Sequence, residues 1–314
     1  MKKLIIIFIS VLAAMLLAGE IFDSSYKKFW RPLFDKLGTT IKDSTYHDGI
    51  YLGDSRAHFG INPYYIDSTT GYNTYNVGMG GATINEINFL AKQYIAKHRP
   101  PKFAVISVGY SDILSEGKFF ENPCHYFFYA DDSSTDNTLQ RLGYHTTLFK
   151  ILPFLKYTAF DDYNKLSIIK NMQGKTFLQE GGIAYKGFIN NSANSFNIQA
   201  LEKFVPEDKP FGKSLSVLEE TIKLFLDKNT LPILVYPPAT HHIEKPKAPV
   251  EIKIDSAIAL LARRHKVPLL YFDNDGSFTN DCFMDQWHLN LKGTVLYSQK
   301  LGAEIKRLLP DGEK

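Results

Sequence analysis

The chain opens with an apolar run, Leu4 to Ala18, broken only by Ser10 and preceded by Lys2 and Lys3. A basic start before such a run is the layout of a secretory signal. The run resumes at Ile21 and Phe22, which brings it close to the roughly 17 to 25 apolar residues that span a bilayer. Residues 1–22 are therefore expected to be a signal peptide, cut after Ala18 or Gly19, or an uncut N-terminal membrane anchor. Either outcome exports the remainder, to the periplasm or cell envelope, and the anchor would hold it at the inner membrane. Residues 23–48 read as a linker or lead-in segment.

Beyond residue 48 short apolar runs alternate with helical periodicity. Strands are expected at Tyr51–Leu52, closing at Gly53, then at Tyr72–Val77 and Phe103–Val108. Between the last two, Ile84, Ile87, Leu90, Ala91, Tyr94 and Ile95 share one helical face, with Thr83 placed as N-cap and Glu86 three residues on. The rhythm returns near the C-terminus: helix Ser214–Lys228, strand Ile233–Tyr236, helix Glu251–His265, strand Pro268–Phe272 and a last helix Leu291–Leu309. Continuous apolar strands alternating with helices predict a parallel sheet covered on both faces. The segment 113–210 breaks this rhythm, being rich in aromatics and in Asn, Asp, Gly and Ser, and reads as an insertion. It would either cap one edge of the sheet or form a wall of a substrate groove.

Composition narrows the picture only slightly. A chain of 314 residues with 44% hydrophobic and 22% charged residues can bury one large core. A formal charge of +3 gives no reason to expect a nucleic-acid partner. Two cysteines, Cys124 and Cys282, form neither a disulfide framework nor a zinc spacing, and none lies near the apolar run for a lipid attachment. They read either as a pair or as two separate buried thiols.

Candidate chemistry lies at strand ends. In the stretch Gly53-Asp54-Ser55-Arg56, a serine directly after a strand can attack a carbonyl and offer its own N–H to the oxyanion; the plain alternative is a helix N-cap. Near the other end Asp285 and His288 stand three residues apart, close enough for the carboxylate to orient the imidazole toward a nucleophile. Arg56 could touch a polar or anionic substrate, whereas His58 reads as solvated. His241 and His242 lack the spacing of a metal site. A serine mechanism requires no metal or other cofactor.

Taken together, these stretches resemble the SGNH (GDSL-like) hydrolase superfamily. Gly53 to Ser55 matches its first block, Asn76 to Thr83 looks like its second, and Asp285 to His288 matches the D-x-x-H of its last. The resemblance spans roughly Gly49 to Leu309 apart from the insertion, and implies a hydrolase domain over residues 49–312. It implies a flavodoxin-like three-layer α/β/α fold and hydrolysis or transfer of O-linked acyl groups. Ser55 would then be the nucleophile, His288 the base, Asp285 its orienting partner, and the Ser55 and Gly81 N–H groups oxyanion donors. One block departs from the pattern: where G-x-N-D is usual this chain has Gly109-Tyr110-Ser111-Asp112. Ser111 takes the asparagine's place with a shorter donor. The expected function is an exported esterase acting on acylated, above all acetylated, carbohydrate or on small esters. An O-acyltransferase on envelope polysaccharide and a non-catalytic glycan-binding or assembly protein remain as alternatives.

Overall fold

The computed structural model describes residues 1–114, 118–178, 182–190, 210–239 and 248–310. The chain divides into two compact units, one of Met1–Asp35 with Asn122–Gln179, the other of Lys36–Glu121 with Glu180–Lys314.

The first unit is built on the apolar run. Helix α1 (Lys2–Phe29) carries it without interruption and is followed by α2 (Arg31–Ile41). Residues 23–48, expected as a lead-in, are thus mostly helical. The reason is legible in spacing: Tyr26, Phe29, Trp30 and Leu33 recur at three- and four-residue intervals and are all buried. Tyr26 donates to Asn164 Oδ1 at 2.6 Å and meets His125 Nδ1 at 2.9 Å, while Trp30 Nε1 donates to Ser167 Oγ at 3.1 Å. The tyrosine has one proton, so with Asn164 taking it the His125 ring must donate. Burial pushes His125 down to about 3, so it stays neutral there.

The second unit holds the sheet. In chain order it runs β1 (Gly49–Leu52), α3 (Ser55–Gly60), α4 (Pro63–Thr70), β2 (Thr74–Asn76), α5 (Ile84–Lys97), β3 (Phe103–Ser107) and α6 (Tyr110–Leu114). Helices α7 (Ser133–Arg141), α8 (Thr146–Ile151) and α9 (Asp162–Met172) follow in the first unit. The second unit resumes with β4 (Ile183–Tyr185), β5 (Phe188–Asn190), α10 (Gly212–Leu226), β6 (Leu231–Tyr236), α11 (Pro249–His265), β7 (Leu269–Tyr271) and α12 (Leu291–Leu308).

Five strands pair in parallel in the order β2-β1-β3-β6-β7. This is the 2-1-3-4-5 order of flavodoxin-like sheets. Side chains alternate across it: Tyr51, Phe103, Val105, Ile233 and Val235 pack with Ala57, Ile66, Tyr297, Leu301 and Ile305 of α3, α4 and α12 and with Ile61 between α3 and α4. Ile50, Leu52, Ala104, Ile106 and Leu234, equally buried, point the other way, the side of α5, α10 and α11. Layers of helix, sheet and helix result, as the alternating pattern predicts.

Helix boundaries hold for chemical reasons. Thr83 caps α5, its side chain accepting from the Glu86 N–H at 3.2 Å. Glu86 also accepts from the Glu121 N–H at 2.9 Å. The segment 113–210 does not stay together. Its part Asn122–Gln179 belongs with the N-terminal helix, while the antiparallel pair β4–β5 joins the sheet unit, where Lys186 reaches Asp67 at 2.6 Å. Cys124 and Cys282 are both free and buried.

Candidate active site

The first three strands of the sheet deliver the site. In a 2-1-3 order the chain reverses direction across the sheet between β1 and β3, and ligands in open α/β sheets bind at the carboxyl ends around such a reversal. Ser55 follows β1, Gly81 follows β2, and Ser111 follows β3. All three line one cavity of about 310 Å³ together with Asp54, Arg56, Ala82, Tyr110, Asp112, Trp287 and His288. Every lining residue belongs to the sheet unit, none to the stretch 118–190.

The cap question at Ser55 has a clear answer. Asp54, not Ser55, is the N-cap of α3, its carboxylate accepting from the Arg56 N–H at 2.9 Å. The serine hydroxyl is thereby left for another partner. It lies 2.7 Å from His288 Nε2. His288 Nδ1 is 2.8 Å and 3.0 Å from the two Asp285 oxygens. A carboxylate only accepts, so Nδ1 carries the proton and Nε2 presents its lone pair to the Ser55 hydroxyl. Burial alone would raise the Asp285 carboxyl, but the His288 bond and the N–H groups of Trp287 and His288, at 2.8 Å and 2.9 Å, lower it instead. A tight loop holds the pair: Phe283 and Leu289 bridge across it, Met284 N–H donates to the His288 carbonyl at 2.9 Å, and Asn290 caps α12 just after it.

Gly81 has φ +72°, and a Cβ there would lie 2.8 Å from Glu121 Cγ. Both the left-handed turn and the close approach require glycine.

Arg56, which the sequence suggests as a substrate contact, lines the cavity, and its guanidinium is buried and bonded within the protein. Nε donates to both Asp54 oxygens at 3.1 Å and 2.9 Å, and NH2 donates to Asp112 Oδ2 at 2.9 Å and to Ser111 Oγ at 3.1 Å. Burial works against this charge, yet Asp54 and Asp112 outweigh it and raise its pKa. Burial and the neighbouring Asp54 push Asp112 well above the usual carboxylate range, against the pull of Arg56. Gly109 makes room for the group, since a Cβ there would lie 2.5 Å from Arg56 NH1. This network has a chemical consequence for Ser111. A guanidinium only donates, so the Ser111 oxygen accepts from Arg56 and its own proton is left to point elsewhere.

Sequence reasoning missed Asp54, Asp112 and Lys36. Acidic residues in two motif blocks beside one arginine were the available signal for the first two. Lys36 had none, because its partners come from distant segments. Its Nζ is 2.6 Å from His58 Nδ1 and also bonds the Gly78 carbonyl. Burial lowers Lys36 well below its ordinary value, and burial with Lys36 nearby lowers His58 likewise. His58, expected to be solvated, is therefore a buried neutral residue. His241 and His242 lie outside the described residues.

Fold and cavity together define an α/β protein carrying a hydrogen-bonded serine, histidine and aspartate at the carboxyl ends of a parallel sheet. No family model and no curated protein matches the chain. Among solved structures it is similar to a lipase/acylhydrolase from Enterococcus faecalis, 14% identical, with 85% of this chain and 99% of that one covered and a TM-score of 0.41. It is also similar to an acetyl xylan esterase, AlAXEase, at 12% identity, 82% and 99% coverage and a TM-score of 0.43. At such identities the chemistry has to be argued from the cavity's own residues.

Proposed function

We propose that the protein is a serine esterase of the SGNH type that removes small acyl groups, above all acetyl, from carbohydrate or other alcohols. The observation that carries this reading is the 2.7 Å approach of His288 Nε2 to Ser55 Oγ, with Nδ1 bonded to Asp285. In the proposed reaction Ser55 Oγ attacks the ester carbonyl as its proton passes to His288 Nε2. The oxyanion receives the Ser55 and Gly81 N–H groups and the Ser111 hydroxyl. His288 then protonates the departing alcohol, leaving the acyl group on Ser55. Water, deprotonated by His288, attacks that ester and releases the carboxylic acid and free Ser55.

The cavity supports this substrate class. A volume of about 310 Å³ suits a short acyl group with part of one sugar ring. Tyr110 and Trp287, 5.7 Å apart edge to face, add aromatic surface against which a pyranose can lie. We further read α1 as a membrane anchor, because it is long and apolar enough to cross a bilayer and its last turns are buried in the first unit. On this reading, with Lys2 and Lys3 on the cytoplasmic side, the catalytic unit stands outside the cytoplasm, at the cell envelope.

A fluorophosphonate probe tests the nucleophile: it should label Ser55, found by peptide mass, and labelling should vanish in Ser55→Ala. Attachment to another serine would end this assignment. Acyl transfer to added sugar in preference to water would make the protein a transferase using the same residues.

Ser111 provides a finer test. Its bond to the oxyanion would form mainly in the transition state, so Ser111→Ala should lower kcat with KM nearly unchanged. The loss should fall short of the roughly 100- to 1000-fold cost of removing a well-placed carboxamide donor. Ser111→Asn should be tolerated. A silent Ser111→Ala would remove Ser111 from the oxyanion hole.

A further inference from the structure

We propose that residues Leu148–Leu155 of the first unit are seated in the headgroup layer of a lipid bilayer, beside α1. The inference rests on reading α1 as a membrane anchor and extends it to a second contact. Helix α1 has 28 residues, about 42 Å at 1.5 Å per residue, well beyond the roughly 30 Å of a hydrocarbon core. Its lower part is bare, with Leu4 71% and Leu17 64% exposed. The polar boundary is marked by exposed Glu20 and by Asp23, which pairs with Lys156 Nζ at 2.5 Å and accepts from the Tyr157 hydroxyl. Lys27 and Lys28 follow in the last turn.

One turn before Asp23 α1 is already in contact with the unit it carries. A Cβ on Gly19 would lie 3.7 Å from Phe154 Cβ, and Phe22 packs edge to face on Tyr157 at 5.6 Å. Phe154 therefore lies level with the upper end of the apolar run, beside Glu20 and about 6 Å below Asp23 along the helix. The chain leading to it, Ile151-Leu152-Pro153-Phe154-Leu155, is apolar at every position and fully buried at none, and Ile151 is 65% and Leu148 47% exposed. Single exposed apolar side chains are ordinary, but a contiguous run joined to a spanning helix forms one surface with it. The backbone meets the requirement of such a site by satisfying its own bonds. Phe149 N–H donates to His145, Leu152 N–H to Leu148 and Leu155 N–H to Leu152, at 3.1, 2.8 and 2.9 Å. The apolar face of an interfacial helix sinks about 5 to 10 Å into the headgroup boundary, and a segment level with Gly19 and Glu20 falls within that layer.

The test uses the full-length protein in phosphatidylcholine–phosphatidylglycerol vesicles, with a polarity-sensitive fluorophore on single introduced cysteines. Ile151→Cys probes the proposed contact, Ile9→Cys the bare apolar part of α1, and Asp162→Cys a fully exposed position on α9. The unsubstituted protein checks that buried Cys124 and Cys282 stay unlabelled. Ile151 should show blue-shifted emission, quenched by lipids spin-labelled near the headgroup and protected from aqueous iodide, unlike Asp162. If Ile9 is quenched by deep spin labels while Ile151 behaves as Asp162 does, the second contact is refuted and the anchor stands. If Ile9 too responds only to iodide, the anchor reading fails and this inference with it.

Discussion

Ser55→Ala and His288→Ala should each lower the turnover of p-nitrophenyl acetate by about 10³- to 10⁶-fold, and the double variant should lose little more. The two side chains act as one unit: without the base the hydroxyl is a poor nucleophile, and without the hydroxyl the base has nothing to activate. Asp285→Ala should cost roughly a hundredfold less than either, since the imidazole keeps some population of the required tautomer. Asp285→Asn separates orientation from scaffold. Its carbonyl oxygen can still accept from the Trp287 and His288 N–H groups, so the loop should hold. Its NH2 group, however, would donate to Nδ1, turning the Nε2 proton toward Ser55 and blocking proton uptake. A well-folded Asp285→Asn with activity as low as Ser55→Ala is the expected outcome. Full activity in Ser55→Ala would overturn the proposed mechanism.

Arg56→Met should destabilise the protein by about 3 to 5 kcal/mol, read as a lower denaturant midpoint with little change in slope. The guanidinium offsets two buried carboxylates, and its removal leaves Asp54 and Asp112 facing each other without a counter-charge. The loss should be smaller in acid. Burial and Asp54 already raise Asp112, so its folded pKa lies above its unfolded one; removing Arg56 widens that gap. The variant's stability should be fully regained only below the unfolded value of about 3.9 and be lost as pH rises through the folded one. Arg56→Met with Asp112→Asn should recover part of the loss at neutral pH. An Arg56→Met variant as stable as the parent at every pH would show that the carboxylates find other partners.

Much of this was written in local pattern. The strand at Phe103–Ser107 and the Thr83 cap follow from runs of a few residues, where burial on both faces leaves no polar position and a hydroxyl meets a free N–H three residues on. The Asp285–His288 pair was equally legible, because three residues in a tight loop suffice to bring the rings and oxygens together. The buried ion pairs of Arg56 were not legible, for the opposite reason. Its exposure depends on Asp112, 56 positions away, and nothing within its own turn shows that the carboxylate will be there. Lys36 shows the same limit more sharply, since a lysine in an amphipathic helix reads as solvated until His58 and Gly78 close over it.

By itself the sequence determined the alternation of strands and helices, the apolar N-terminal helix and the order of the candidate site residues, all consequences of side-chain periodicity and of bonds spanning a few residues. Only the tertiary structure decided that Asp54 rather than Ser55 caps α3, that the 2-1-3 strand order gathers three loops around one cavity, and that the N-terminal helix belongs with residues 122–179. Those outcomes depend on which distant segments bury one another's apolar faces and satisfy one another's buried charges. Such terms exist only once the chain has closed on itself.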